Sequence, residues 1–269
     1  MAISEVSKAQ AVTSKEKWHS NEMMTIAAAR TLTDGMICFV GIGIPSTAAI
    51  LAKATHAPNL VLIYESGTVN TDPQKLPLSI GDGELANRAL TVVSMPEIFN
   101  YWLQPGRIDV GFLGAAQIDR YANINTTFIG ESYENPKVRL PGAGGATEIA
   151  GACKDVIIII KQSPRTFVSK IDFITSLGFG SGPESREENG LIGGGPRYVI
   201  TDLGILEPDP VSKELVLTSI HPGVTLEQVR ENTGWDLKVS ENLIVTAAPT
   251  DGELDRVRAL VATSSRKKS

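Results

Sequence analysis

The chain has 269 residues, 42% hydrophobic and 20% charged, the balance of a globular protein with enough length for one large domain or two small ones. A formal net charge of -5 leaves no basic footprint for nucleic acid. The two cysteines, Cys38 and Cys153, form neither a metal site nor a disulfide framework and read as small buried hydrophobes of a reducing compartment.

Residues 1–20 are polar and patternless, which predicts a mobile tail, and no apolar run follows the early charges as a secretory leader requires. Alanines and spaced apolar residues over 21–32 predict a helix, stopped by Thr33-Asp34-Gly35. A short apolar run, 36–40, enters the turn Gly41-Ile42-Gly43-Ile44-Pro45. A helix follows over 46–54, with Ser46 as its N-cap. The same grammar recurs along the chain. Residues 60–64 end abruptly in Glu65-Ser66-Gly67, and 110–113 end in Gly114-Ala115-Ala116-Gln117. Residues 156–160 end in Lys161-Gln162, and 198–201 end in Asp202-Leu203-Gly204. Continuous apolar strands imply burial on both faces, and their alternation with helices predicts an open, mostly parallel α/β sheet covered by helices on both faces. Phe99 and Trp102, three residues apart, read as one face of a core helix.

The glycine-, proline- and charge-rich segment 178–196 predicts a long loop or flap. Beyond it, a strand at 215–218, the turn His221-Pro222-Gly223 and a helix near 226–233 continue the pattern. The expected organisation is a tail over 1–20, a single domain over 21–262 and a frayed basic tail over 263–269. No apolar run, 156–160 included, is long enough to cross a bilayer, so a cytoplasmic location is expected.

Several chemistries lack their residues. The histidines are His19, His56 and His221, and no metal-ligand spacing or Ser-His-Asp arrangement can be read from them. Gly41-Ile42-Gly43 lacks the third glycine of a dinucleotide fingerprint, and no phosphate-binding GxxxxGK[ST] loop is present. Glu65 stands out because a carboxylate directly after a buried strand is costly to desolvate. It either opens a loop and pairs with an arginine, or serves as a carboxylate nucleophile flanked by small residues that admit a substrate. Spacing alone favours the first. Pro141-Gly142-Ala143-Gly144-Gly145-Ala146 is either a tight strand-to-helix turn or a set of convergent amides able to hold an oxyanion. Gly193-Gly194-Gly195 is a weaker candidate. Gln117 and the run Asn123-Ile124-Asn125-Thr126-Thr127 can bind a carboxylate or satisfy loop backbone. Lys137 and Arg139 fit either an acidic substrate or an ordinary solvated pair.

Taken together these pieces resemble the β subunit of the class I CoA-transferases. The resemblance rests on Tyr64-Glu65-Ser66-Gly67, Gly114-Ala115-Ala116-Gln117-Ile118-Asp119, Asn123-Ile124-Asn125-Thr126-Thr127, Arg139-Leu140-Pro141-Gly142-Ala143-Gly144-Gly145-Ala146 and Glu231-Asn232-Thr233-Gly234-Trp235. It spans residues 21–250. Leu76-Pro77-Leu78-Ser79-Ile80-Gly81-Asp82-Gly83-Glu84-Leu85, Tyr101-Trp102-Leu103-Gln104 and Thr218-Ser219-Ile220-His221-Pro222-Gly223-Val224-Thr225 are similar to the branch acting on 3-oxoadipate, and less so to the glutaconate branch. After Gly67 the chain carries Thr68-Val69-Asn70-Thr71, where close relatives tend to have glycine or small residues.

The resemblance implies a three-layer fold and transfer of CoA from succinyl-CoA to a carboxylic acid through a covalent Glu65-CoA intermediate. It implies oxyanion or CoA contacts at Gly142, Gly144 and Gly145, and substrate contacts at Ser66, Gln117 and Asn125. It also implies CoA as an acyl-CoA substrate rather than a resident cofactor, no metal, and a separate α subunit in an α2β2-type assembly. A hydrolase on the same fold and a non-catalytic α/β binding protein are the rival expectations.

Overall fold

The structure, a computed structural model, describes residues 17–265. In chain order it begins with helix α1 (Ser20–Arg30), strand β1 (Ile37–Phe39), helix α2 (Ile44–Lys53) and strand β2 (Val61–Ile63). Next come β3 (Thr68–Val69), α3 (Gly83–Asn87), β4 (Thr91–Val92) and α4 (Met95–Glu97), which runs on as a π-helical turn, Ile98–Leu103. Strand β5 (Val110–Leu113) leads into two hairpins, β6 (Gln117–Ile118) with β7 (Ile124–Asn125) and β8 (Phe128–Ile129) with β9 (Val138–Arg139). Helix α5 (Ala146–Ala152), β10 (Asp155–Ile159), α6 (Ser185–Glu188) and β11 (Pro196–Ile200) follow. The chain then forms β12 (Gly204–Pro208), β13 (Leu215–Ile220), α7 (Leu226–Glu231), β14 (Lys238–Val245) and α8 (Asp251–Ser265).

One 10-stranded sheet organises these elements in the order β14-β13-β12-β11-β10-β5-β1-β2-β3-β4. Its centre, from β11 to β2, is parallel. The flanks turn antiparallel at β2-β3-β4 and at β11-β12-β13. The continuous apolar runs have the cause inferred for them: neighbouring residues on one strand enter opposite cores. Ile157 and Ile159 join α1, α2 and α8 on one face, while Val156, Ile158 and Ile160 join α5, α7, Phe167 and Trp235 on the other. Each such side chain contributes roughly 1.5–3 kcal/mol relative to exposure, and the period of two lets one strand serve both layers. The α/β fold with a mostly parallel sheet under helices on both faces is the one expected.

The differences are local. Helix α2 starts at Ile44 rather than Ser46, because Pro45 in its first turn needs no N–H partner and has its φ already set. Ser46 is buried instead, and its Oγ donates to the Gly41 carbonyl at 2.8 Å. Segment 178–196 is no free flap. The buried Arg186 guanidinium donates to the carbonyls of Ala150, Gly178 and Gly193, each at 2.9 Å, stapling the segment to the end of α5. Gly193 lies flat against the Cys153 backbone, where a Cβ has no room. The helix over Phe99 and Trp102 is π-helical, and its fully buried residues are Ile98 and Leu103. Of the expected N-terminal tail, residues 1–16 lie outside the described residues. Trp18 packs against the α1 face, and Ser20 already belongs to α1. Of the expected C-terminal tail, α8 continues to Ser265 and residues 266–269 lie outside the described residues.

Candidate active site

Parallel strands end on one edge of the sheet, and the loops there carry the polar groups. At the end of β2 the chain makes a tight hairpin. Tyr64 N donates to Thr68 O at 3.1 Å and Gly67 N donates to Tyr64 O at 3.0 Å, leaving Glu65 and Ser66 at the tip. Gly67 takes φ 106°, and a Cβ there would run into the Val93 carbonyl oxygen. Only glycine satisfies both demands. Val93 N in turn donates to Gly67 O at 2.9 Å, so the segment after β4 fixes the back of the hairpin. The root is equally fixed: Tyr64 is fully buried, its hydroxyl lies 3.2 Å from Ser46 Oγ, and burial raises its phenol well above the usual range.

Glu65 itself is half-buried, and among the described residues no cation or hydrogen-bond donor meets its carboxylate. The expected alternative, an arginine pair, is absent from the described residues. Next to it runs the glycine turn. A Cβ on Gly145 would lie 3.4 Å from Glu65 Oε1 and 2.7 Å from Phe99 Cζ, so carboxylate, glycine and ring converge on one methyl-sized space. The turn is held by Gly142 N to Thr126 O at 2.8 Å, Thr126 Oγ1 to Gly142 O at 2.9 Å and Ala146 N to Ala143 O at 2.9 Å. Gly142 and Gly144 have φ 102° and 51° and face open space. Among the described residues the amides of Gly144 and Gly145 donate to no protein acceptor. Unspent amides beside an unpaired carboxylate can receive a developing oxyanion while the carboxylate attacks a carbonyl. Ser66 Oγ, one residue on, is buried with no partner.

The structure gives Gln117 and Asn125 a different place from the one expected. Asn125 is fully buried. Its Nδ2 donates to Gln117 Oε1 at 2.8 Å and Phe128 O at 2.7 Å, and its Oδ1 accepts from Thr127 N at 2.9 Å. Gln117 Oε1 also accepts from Asp172 N at 3.1 Å, and its Nε2 donates to Asp172 Oδ2 at 3.2 Å. Thr175 completes the frame, accepting from Thr126 N at 2.8 Å and lying 2.7 Å from Thr127 Oγ1. These amides support the glycine turn from below instead of meeting a substrate. Arg139 is exposed, donating to Tyr133 O at 2.7 Å with its guanidinium 4.4 Å from the Tyr133 ring, and Lys137 is exposed nearby. Gly194, in the weaker glycine run, is wedged against Lys154 O. Cys38 and Cys153 are buried, and desolvation pushes the Cys153 thiol up to about 12, so both are unreactive at neutral pH. Phe99, Val93, Thr126 and Thr175 escaped the sequence reading, since nothing local marks residues that act across 30 or more positions.

Comparison with known proteins follows the same residues. The coenzyme A transferase family profile matches residues 21–232. The chain belongs to the coenzyme A transferase family. It is 62% identical to the β-type subunit of the 3-oxoadipate CoA-transferase of Pseudomonas knackmussii, over 91% of this chain and 94% of that one. It is 38% identical to the corresponding subunit of the glutaconate CoA-transferase of Acidaminococcus fermentans, over 82% of this chain and 85% of the other. The crystal structure of that organism's glutaconate CoA-transferase superposes with a TM-score of 0.84, at 35% identity, covering 90% of this chain and 94% of that chain. The decarboxylase AibA/AibB shares the fold with a TM-score of 0.77 at 25% identity, covering 90% of this chain and 94% of that chain. One fold thus carries more than one chemistry, and the site residues decide which. Among the described residues of this CoA-transferase chain no cluster of His, Cys, Asp or Glu could hold a metal, and no helix is long and apolar enough to cross a membrane.

Proposed function

We propose that this chain is the Glu65-bearing β subunit of a cytoplasmic CoA-transferase that moves CoA from succinyl-CoA to 3-oxoadipate. The observation that carries the proposal is the unpaired Glu65 carboxylate lying beside the free amides of Gly144 and Gly145. The 62% identity to the β-type subunit of a 3-oxoadipate CoA-transferase supports the choice of acids.

A Glu65 oxygen attacks the thioester carbonyl carbon, the C–S bond breaks, and CoA thiolate leaves an acyl-glutamyl anhydride. The thiolate adds to the glutamyl carbonyl, expels succinate and leaves Glu65 as its CoA thioester. The acceptor carboxylate attacks that thioester, releasing the thiolate again, and the thiolate takes the acceptor acyl group from the second anhydride. Glu65 returns as a carboxylate. Each addition passes through a tetrahedral oxyanion directed at the Gly144 and Gly145 amides, where one such donor is worth about 10²–10³ in rate. Ser66 Oγ supplies a hydroxyl to the substrate carboxylate, and Gly142 shapes the opening of the turn. Gln117 and Asn125 act from beneath, keeping the turn in place. A separately encoded α subunit completes the active assembly, an α2β2-type complex, and this chain alone is inactive.

The test is co-expression with the partnering α subunit, followed by exchange of labelled succinate into succinyl-CoA. Exchange without an acceptor, with 3-oxoadipate preferred over acetoacetate and glutaconate in net transfer, is the expected outcome. Net hydrolysis with no exchange contradicts transfer, and preference for another acid contradicts the substrate.

A further inference from the structure

We infer that Phe99 is the residue that shields the activated Glu65 carbonyl from water and so sets the ratio of transfer to hydrolysis. This rests on the Glu65 reading above and adds a role for a residue which that mechanism does not use.

The placement is the first argument. The Phe99 ring edge borders the same small space as Glu65 Oε1, with Cζ and Cε1 at 2.7 and 3.0 Å from where a Gly145 Cβ would stand. It is the apolar side of a pocket whose other sides are a carboxylate and free amides. The second argument is the backbone that carries it. Gln104 N donates to Phe99 O at 2.8 Å, a bond five residues long, in a turn of Ile98–Leu103. Such π turns are rare and concentrate at functional sites because the extra residue re-aims side chains. Here Ile98 and Leu103 are fully buried, while Phe99 is only half-buried and faces the pocket.

The third argument is rigidity. The ring meets Phe39 edge-to-face at 6.2 Å, and Gln104 Nε2 donates to Glu148 Oε2 at 3.0 Å, tying the π turn to α5 just behind the glycine turn. Ser94 caps the preceding α4 through Glu97 at 2.8 Å. A ring fixed from both sides is a wall rather than a filler.

The chemistry requires such a wall. In the side reaction a water oxygen adds to the glutamyl carbonyl carbon and the C–S bond breaks. CoA leaves as thiol, Glu65 returns as carboxylate and one proton is released. The free amides that stabilise the transfer oxyanion stabilise this one equally, so selectivity must come from keeping water away. No polar group at Phe99 can do this, whereas an aromatic edge in contact with the acyl-CoA methylenes can.

The experiment uses the complex with its α subunit. It is loaded with succinyl-CoA and freed of succinate so that Glu65 carries CoA, and release of CoA is then followed without an acceptor. Phe99→Ala is expected to shorten the adduct lifetime about tenfold while leaving loading within about threefold. Phe99→Leu, which keeps most of the apolar bulk, should restore the lifetime to within about twofold of wild type. Should Phe99→Ala fail to assemble, Phe99→Val reads the same lifetime. An equal lifetime in wild type and variants, or a loss of loading with unchanged lifetime, overturns the inference and leaves the Glu65 reading intact. A wild-type complex that loads no CoA on Glu65 overturns both.

Discussion

The loops after β2 and β5 leave the same edge of the parallel sheet, yet they treat their polar side chains in opposite ways. After β5, Gln117, Asn125, Asp172 and Thr175 spend their hydrogen bonds on one another and on backbone. After β2, Glu65 and Ser66 spend none, and the neighbouring amides of Gly144 and Gly145 are also free. Folding favours the first arrangement, since buried polar groups are costly unless paired. The second persists because the surrounding chain, from Tyr64 to Val93, leaves it no alternative. The difference separates support from chemistry more sharply than residue type does: both loops are polar, but only one has capacity left for a ligand.

Substitutions on the two sides should therefore fail in different ways. Glu65→Gln is expected to reduce CoA transfer by about 10³-fold or more while moving the stability read from urea unfolding by no more than about 0.5 kcal/mol, because no partner is lost. Turnover within tenfold of wild type would erase the distinction. Gly67→Ala should cost both properties: a left-handed φ and a blocked Val93 carbonyl predict about 3 kcal/mol of destabilisation, with transfer falling about 10²-fold as Glu65 shifts. An unchanged melting curve would mean the hairpin is softer than described.

Asn125→Ala sharpens the contrast from the other side. It removes a donor to Gln117 Oε1 and Phe128 O and the acceptor of Thr127 N, all in a buried place, for a loss of about 2–3 kcal/mol. The KM for the acceptor should stay within about threefold. A tenfold rise in KM with no loss of stability would return Asn125 to the substrate-binding role its sequence context suggested.

The smallest effect concerns pH and a region remote from Glu65. Burial holds the His221 imidazole below the usual histidine range, against the opposing pull of the Thr201 carbonyl that accepts from Nε2 at 2.8 Å. The unfolded chain takes up a proton near pH 6.5 while the native histidine stays neutral. Stability is thus complete above about pH 6.5, falls as pH drops below it, and levels once the folded histidine protonates. His221→Gln should flatten that slope between about pH 7.5 and pH 5.5 in urea titrations; an unaltered slope would assign it to other groups.

Much of this was legible in the chain itself. The parallel strands announced themselves as unbroken apolar runs because each feeds two cores, and their ends fell within a few residues of the glycine or polar residue that stopped them. Glu65 was visible as a charge placed where a strand leaves the interior, although its lack of an arginine was not. What stayed hidden depends on distant partners. The fit of Gly67 against Val93, the capture of 178–196 by Arg186 and the meeting of Phe99 with Gly145 are contacts between separate elements, and no local pattern encodes them. Gln117 and Asn125 misled because an amide bound to a ligand and an amide bound to its own loop look identical in sequence.

The most direct test of the account is chemical. The complex with its α subunit is incubated with succinyl-CoA, reduced with borohydride, digested and sequenced by mass spectrometry. The account predicts a reduced glutamyl side chain, an alcohol, at Glu65 and nowhere else. An unmodified Glu65 in a complex that still transfers CoA would contradict it.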